Sequence, residues 1–239
     1  MERDAIDLGR LNIPVLFRRY FIPTLLGMLG MSAVTAIDGI FIGHGVGSDG
    51  IAAINICVPI LMLFTGVGLM AGAGCSVVAS IHMARGKEKA ARLNVTQAII
   101  FVTVVALIPS ILMMVFLERT AIMLGSSEHL LPMVKEYMMW YVPSWVFQIW
   151  ITTGLFIIRL DGAPKLAMSC SLVAAILNVV LDWLFIVPFG WGLMGGALAT
   201  SISVTAGGLM AIGYLCFFAK RLKLYRPKFS RKSLQLSLR

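Results

Sequence analysis

Apolar residues occupy this chain in long, nearly uninterrupted runs. Six runs of about 20 or more residues are each long enough to cross a hydrocarbon core about 30 Å thick as an α-helix. They lie near residues 21–43, 52–81, 95–117, 137–158, 166–187 and 193–219. The period-two alternation of a transmembrane barrel is absent. The pattern therefore predicts an all-α polytopic membrane protein with six transmembrane helices.

Composition supports the same class of protein. Of 239 residues, 59% are hydrophobic and only 13% are charged, whereas a soluble domain of this length needs more polar residues to cover its surface. Cys57, Cys75, Cys170 and Cys216 all fall in apolar runs and show no CxxC spacing. We interpret them as small core residues, not as a disulfide framework or a metal site.

The basic residues are unevenly distributed among the loops. Of 20 Lys and Arg residues, only Arg119 and Lys135 fall in the loops that follow the first, third and fifth spans. This pattern predicts a multi-pass protein of the plasma membrane, or of the inner membrane in a bacterium, with both termini cytoplasmic. The basic tail after the sixth span is then a cytoplasmic retention signal that also contacts anionic lipid, and we expect no nucleic-acid partner despite the net charge of +9.

These features divide the chain into three parts. Residues 1–20 carry apolar side chains among charges and predict a short amphipathic cytoplasmic segment. Residues 21–219 hold the six spans, and residues 220–239 form a basic cytoplasmic tail.

Several residues in the spans should affect helix geometry and packing. Pro23 removes one backbone hydrogen bond from the first span, and Gly27 and Gly30 permit a bend or a close neighbour. Gly68 and Gly72 form a small-xxx-small pair in the second span, which favours tight helix packing over a ligand role.

Two acidic residues lie inside the spans, away from their ends. Asp38 and Asp182 each precede the outer end of an outward-running span, about 7–8 Å below the boundary. Thr200 lies roughly 10 Å down the sixth span. A charge at this depth is costly and usually faces an interior cavity. The sequence therefore predicts two carboxylates and a hydroxyl in one layer.

Asn178 precedes Asp182 by one helical turn, so the two share a helix face. An amide can donate to a carboxylate while its own oxygen faces a cation or water. Burial disfavours a charged carboxylate, and a second one nearby disfavours it further. We interpret Asp182 as a cation or proton site that Asn178 orients. Alternatively, the acids only cap or cross-link helices, and Thr200 bonds its own helix backbone.

One stripe of the fourth span could line a substrate cavity, where aromatic faces would meet cationic ligands. Its members lie at steps of four, three and four residues: Tyr141, Trp145, Gln148 and Thr152. Helix packing is the favoured alternative, with Tyr137 and Trp140 in an interfacial aromatic belt.

Motifs of nucleotide chemistry are missing from the sequence. It contains no P-loop, dinucleotide-binding turn or nucleophile motif, and no histidine has metal-ligand spacing with another His or Cys. We expect a protein that is not an enzyme and holds no cofactor, and no metal beyond Na⁺ at Asp38, Asn178 and Asp182.

Several motifs, in this order and spacing, resemble the N-terminal lobe of the multidrug and toxic compound extrusion (MATE) transporters. They are Pro23, AIDGIFIGHGVG around Asp38, ARGKEKAAR, RLDGAPKLAM, NVVLD and GALAT. The resemblance implies that the residues matching Asp38, Asn178, Asp182 and Thr200 form a cation-binding cluster. It also implies that the first helix bends near Pro23 during transport.

The resemblance further implies an antiporter that exports organic cations or similar amphiphiles in exchange for H⁺ or Na⁺. Members have about twelve spans in two lobes, which implies a second six-helix lobe or another copy as partner, and makes the basic tail the start of an inter-lobe linker. Two alternatives stay open. One is a flippase for lipid-linked sugars, although no Lys or Arg lies deep in a span. The other is a non-transporting scaffold subunit or truncated half-transporter.

Overall fold

A computed structural model describes residues 13–224, and this part of the chain is a bundle of α-helices. The helices are α1 (Ile13–Gly45), α2 (Ser48–Ala84), α3 (Glu88–Val115), α4 (Leu117–Met123), α5 (Leu131–Tyr141), α6 (Trp145–Leu160), α7 (Pro164–Ile186) and α8 (Gly192–Gly213). A 3₁₀ turn, Val142–Ser144, joins α5 to α6, and a π turn, Tyr214–Phe218, follows α8.

Six stretches of the described chain are long and apolar enough to cross a membrane, which confirms the predicted all-α, six-span class. They are Tyr20–Gly45, Ser48–Ala84, Glu88–Val115, Leu131–Leu160, Pro164–Ile186 and Gly192–Phe218. Several are longer than the apolar runs, because helical hydrogen bonding continues into polar residues such as Ser48 and His82. An apolar pattern marks the buried length of a helix and not its ends.

Helix α1 is continuous across the predicted boundary at residue 20 and through Pro23. It packs chiefly against α7. A Cβ atom on Gly30 would lie 3.0 Å from Leu172 Cδ2, and one on Gly27 would lie 3.9 Å from Ser171 Cβ. The two glycines therefore let α1 approach α7 closely. The rest of the predicted N-terminal segment, residues 1–12, and residues 225–239 of the predicted tail lie outside the described residues.

The fourth span is not one helix, as its apolar pattern predicts, but two helices joined by the 3₁₀ turn. Pro143 lies in that turn and has no N–H with which to continue α-helical bonding. Side-chain hydroxyl groups donate hydrogen bonds to nearby backbone carbonyl groups instead. The Ser144 hydroxyl donates to Tyr141 O over 2.7 Å, and the Ser201 hydroxyl of α8 donates to Trp140 O over 2.7 Å. The helix can break inside an apolar bundle because these carbonyls find donors.

Helix α6 packs against α2, α3 and α8, and small residues form the seams. A Cβ atom on Gly72 would lie 3.1 Å from the Cα atom of Thr153, and one on Gly68 would lie 2.9 Å from Ile149 Cγ1. The Thr153 hydroxyl also donates to Gly68 O over 3.1 Å. The predicted packing role of the Gly68 and Gly72 pair is confirmed.

The segment between the third and fourth spans folds over the end of the bundle that contains Asp49. It contains the short helix α4. The Lys135 ammonium donates to the Glu118 carboxylate over 2.8 Å, and His129 Nε2 lies 3.0 Å from Asp49 Oδ2. The hydrogen bond and the charge of Lys135 lower the pKa of Glu118. Both pairs are largely exposed, so each contributes little to stability.

Candidate cation site

Asp38 of α1 and Asp182 of α7 meet inside the bundle. Their carboxyl groups are close enough to form a side-chain hydrogen bond when one of them carries the proton. Asp38 lies about two turns before the end of α1, and Asp182 about one turn before the end of α7. The close packing of α1 on α7 brings the two acids together.

Few hydrogen-bond donors of the described protein reach the two carboxyl groups. Asp182 is 0% exposed. Among residues 13–224, both of its carboxylate oxygens lack a hydrogen-bond donor, and so does Oδ1 of Asp38. A buried carboxylate without donors is costly, and it is usually paired, protonated or bound to a cation. The geometry therefore suits a site that takes up a proton or a cation.

Asn178 is buried on the same face of α7, only 3% exposed. Its amide nitrogen lies 3.4 Å from the Thr200 hydroxyl, to which it donates, and that hydroxyl donates to Gly196 O over 2.9 Å. The expectation that the Asn178 amide donates to Asp182 is wrong, because neither carboxylate oxygen of Asp182 has a donor among the described residues. The neighbouring helix α8 supplies an acceptor that the helical spacing alone does not reveal. Thr200 also bonds its own helix backbone, as the alternative interpretation expects.

Two tyrosines that the sequence did not assign to the site lie near it. Tyr137 and Tyr141 of α5 are both buried and within electrostatic range of the Asp38 carboxylate. Their rings are 5.4 Å apart. The expected place of Tyr137 in an interfacial belt is therefore wrong. Its spacing of one helical turn from Tyr141 could have indicated a shared inward face.

The stripe proposed as a substrate cavity is mostly packed core. Trp145 is 0% exposed, with its ring centroid 4.9 Å from that of Phe64 and 6.1 Å from that of Tyr141. Thr152 is buried too, and its hydroxyl donates to Gln148 O over 2.7 Å. Gln148 alone is partly exposed. The contacts of these side chains agree with the packing alternative.

A truncation of Trp145 tests whether this side chain packs the core or lines a cavity. We expect Trp145→Ala to lower the free energy of unfolding by about 3–5 kcal/mol, because the lost indole leaves a void beside Phe64. Thermal unfolding of the purified protein in detergent measures the effect, with Trp145→Phe as the conservative variant and a smaller loss. An Ala variant as stable as wild type would indicate a solvated cavity wall.

Comparison with known proteins identifies the family. The sequence model of the MatE family matches residues 23–184, more than half of the 239 residues. The chain belongs to the MatE family. The matched region covers α1 from Pro23 to α7, including both carboxylates of the candidate site, so the resemblance to the N-terminal lobe of MATE transporters is confirmed.

Relatives in this family are transporters by name. The chain is 27% identical to the FAD transporter of Shewanella oneidensis, over 90% of this chain and 48% of that protein. It is 27% identical to the multidrug export protein MepA of Staphylococcus aureus (strain MSSA476), over 82% of this chain and 43% of that protein.

Solved structures agree on the fold. A structure described as the outward-facing conformation of a multidrug resistance MATE family transporter matches with a TM-score of 0.81 and 23% identity. The match covers 93% of this chain and 50% of that one. The chain thus spans about half the length of the relatives it matches, and its six apolar helices are those of a multi-pass membrane protein. The flippase alternative is not favoured by these comparisons.

Proposed function

We propose that this MatE protein forms one lobe of a secondary antiporter that exports organic cations or similar amphiphiles in exchange for H⁺ or Na⁺. The observation that carries the proposal is the meeting of Asp38 and Asp182, because both carboxylate oxygens of Asp182 and Oδ1 of Asp38 lack a donor among residues 13–224. A site of this kind is stable only with a bound proton or cation, which is the property an ion-coupled transporter needs. The export function named for the MepA relative supports the substrate class.

Each side chain of the site would have a distinct role. Asp182 and Asp38 would take up the coupling ion. The bond to Thr200 fixes the Asn178 nitrogen, which leaves the amide oxygen to face a Na⁺ ion or water. Carboxylate and amide oxygens suit a hard cation such as Na⁺, and two adjacent carboxylates also suit a shared proton.

Helix α1 would link ion binding to conformational change. Neutralising Asp38 would remove the cost of burying its negative charge, so α1 could then move over α7. Pro23 removes a hydrogen bond from α1, and Gly27 and Gly30 leave a smooth surface towards α7. Bending there would narrow a substrate cavity between the two lobes and expel the substrate to the outside. Return to the inward-open state would release the ion to the cytoplasm.

Reconstitution tests the proposal directly. Proteoliposomes containing the chain and the second lobe with which it assembles, and others containing the chain alone, are loaded with ethidium. A pH gradient and a Na⁺ gradient are imposed in separate experiments. One of the two gradients should drive ethidium exchange at a rate well above that of protein-free liposomes. Fluorescence records the transport. A rate of ethidium transport that is the same with and without each gradient would contradict ion coupling.

A further inference from the structure

Asp161, the residue directly after the end of α6, binds the chain that leaves the sixth span. Its carboxylate accepts four hydrogen bonds, more than any other described carboxylate for which bonds are found. The donors are the Tyr214 hydroxyl at 2.8 Å and the backbone N–H groups of Lys220, Arg221 and Leu222 at 3.1, 2.9 and 3.0 Å.

The dipole of α6 makes the position of Asp161 unfavourable for a carboxylate. It caps the C-terminus of α6, where the helix dipole presents partial negative charge and disfavours an anion. The three consecutive N–H groups reverse that balance, because successive backbone N–H groups form a concave anion-binding nest. Hydrogen bonds to an ionised acceptor are also stronger than those between neutral groups. The negative charge of Asp161 is therefore stabilised by the segment that it binds and not by α6.

A second set of contacts holds the same segment. Arg92 of α3 donates through Nε to Arg221 O over 2.8 Å and through Nη2 to Lys220 O over 3.4 Å. Leu222 is 0% exposed, and the Leu224 N–H donates to Leu215 O over 3.1 Å. Residues 219–224, here called the exit segment, are thus fastened to α3, to α6 and to the π turn.

We propose that Asp161 is a positioning residue that locks the exit segment to the end of α6, while Arg92 holds the same segment on α3. This inference rests on the proposed function, because its consequence concerns movement between two lobes. The exit segment leads towards the part of the chain that would join a second lobe, and it can transmit a rotation only if it is fixed to the lobe that moves. With Asp161 in place, movement of α6 carries the exit segment along. Without it, part of the rotation would be lost in a loose connection.

Protease sensitivity measures whether the exit segment is locked. Trypsin cleaves after Lys220, Arg221 and Lys223 only when the local backbone opens to enter the enzyme. We expect Asp161→Asn to increase the rate of cleavage there at least tenfold in the detergent-solubilised protein, and Tyr214→Phe to increase it less. Asp161→Glu should restore part of the protection. Glu128→Gln removes an exposed carboxylate elsewhere and should leave the rate unchanged. Equal cleavage of wild type and Asp161→Asn would overturn the proposal.

Transport separates positioning from ion binding. In the gradient-driven ethidium assay, Asp161→Asn should lower the maximal exchange rate several-fold while KM for ethidium stays within about twofold of wild type. A variant with a released exit segment and a wild-type maximal rate would overturn the role in transport. If the wild-type protein shows no exchange, the proposed antiport function fails, and the cleavage rates still decide whether Asp161 locks the segment.

Discussion

Replacing Asp182 by asparagine should abolish gradient-driven exchange while leaving the protein at least as stable as wild type. Asparagine keeps the shape of the side chain but can neither take up a proton nor neutralise a cation. We expect the coupled exchange rate to fall to that of protein-free liposomes. Because the carboxylate is 0% exposed and lacks donors within residues 13–224, its removal should raise the unfolding temperature by a few degrees.

The two effects have opposite signs, and this distinguishes an ion site from a structural cross-link. If Asp182 only joined α7 to α1 through hydrogen bonds, its loss would lower stability and spare transport. An ion site behaves in the reverse way, because functional groups are often kept at the expense of stability.

Two measurements on the same preparation test this expectation: thermal unfolding in detergent and ethidium exchange in proteoliposomes. Asp49→Asn is a matched control, because Asp49 is a partly exposed carboxylate in the first turn of α2, where it pairs with the exposed His129. It should change neither quantity appreciably. A destabilised Asp182→Asn variant that still exchanges ethidium at the wild-type rate would rule out the proposed role of this carboxylate.

Substituting Gly208 by valine should prevent the bundle from assembling. A Cβ atom at this position in α8 would lie 2.7 Å from the carbonyl oxygen of Phe147 and 3.1 Å from its Cα atom. These are backbone atoms of α6, so no side-chain rotation can relieve the clash, and the two helices would have to separate. We expect loss of the monodisperse peak in size-exclusion chromatography, and Gly208→Ala should already lower the unfolding temperature.

A glycine with open space around it provides the control for this substitution. A Cβ atom on Gly74 of α2 would meet nothing within 4 Å, so Gly74→Ala should be neutral or stabilise by about 0.5–1 kcal/mol through helix propensity. If Gly208→Val elutes and unfolds like wild type, α8 and α6 do not pack as described here.

The spans and the meeting of the two acids were predictable because each depends on properties local to the sequence. An apolar run must reach across the bilayer whatever its neighbours are. The level of Asp38 or Asp182 follows from counting residues along a helix. These arguments gave six spans and placed two acids at similar depth, and the structure brings the two carboxyl groups into contact.

The partners of individual side chains could not be predicted in the same way. Asn178 donates to Thr200, and not to Asp182 on its own helix, because α8 supplies an acceptor from a distant part of the chain. Tyr137 has the amphipathic character of a belt residue but is buried within electrostatic range of Asp38. Such contacts depend on how helices rotate against one another, which apolar spans leave undetermined.

Asp161 illustrates the same limit. In the sequence RLDGAPK it supplies turn chemistry, and Gly162 does adopt a positive φ of 85°. Its donors, however, come from Tyr214 and from backbone N–H groups near residue 221. Backbone donors leave no trace in residue type, so sequence inspection could not have found them.

The number of residues in the π turn at Tyr214–Phe218 determines the direction in which the following chain leaves α8. The Ala219 N–H donates to Tyr214 O over 2.8 Å, so one residue more than in an α-helical turn is accommodated. Removing a single residue would restore ordinary helical winding and rotate everything that follows by about 100° around the axis. In homologous sequences, an insertion or deletion in this turn should therefore change the direction of the chain that follows, more than the length of the loop.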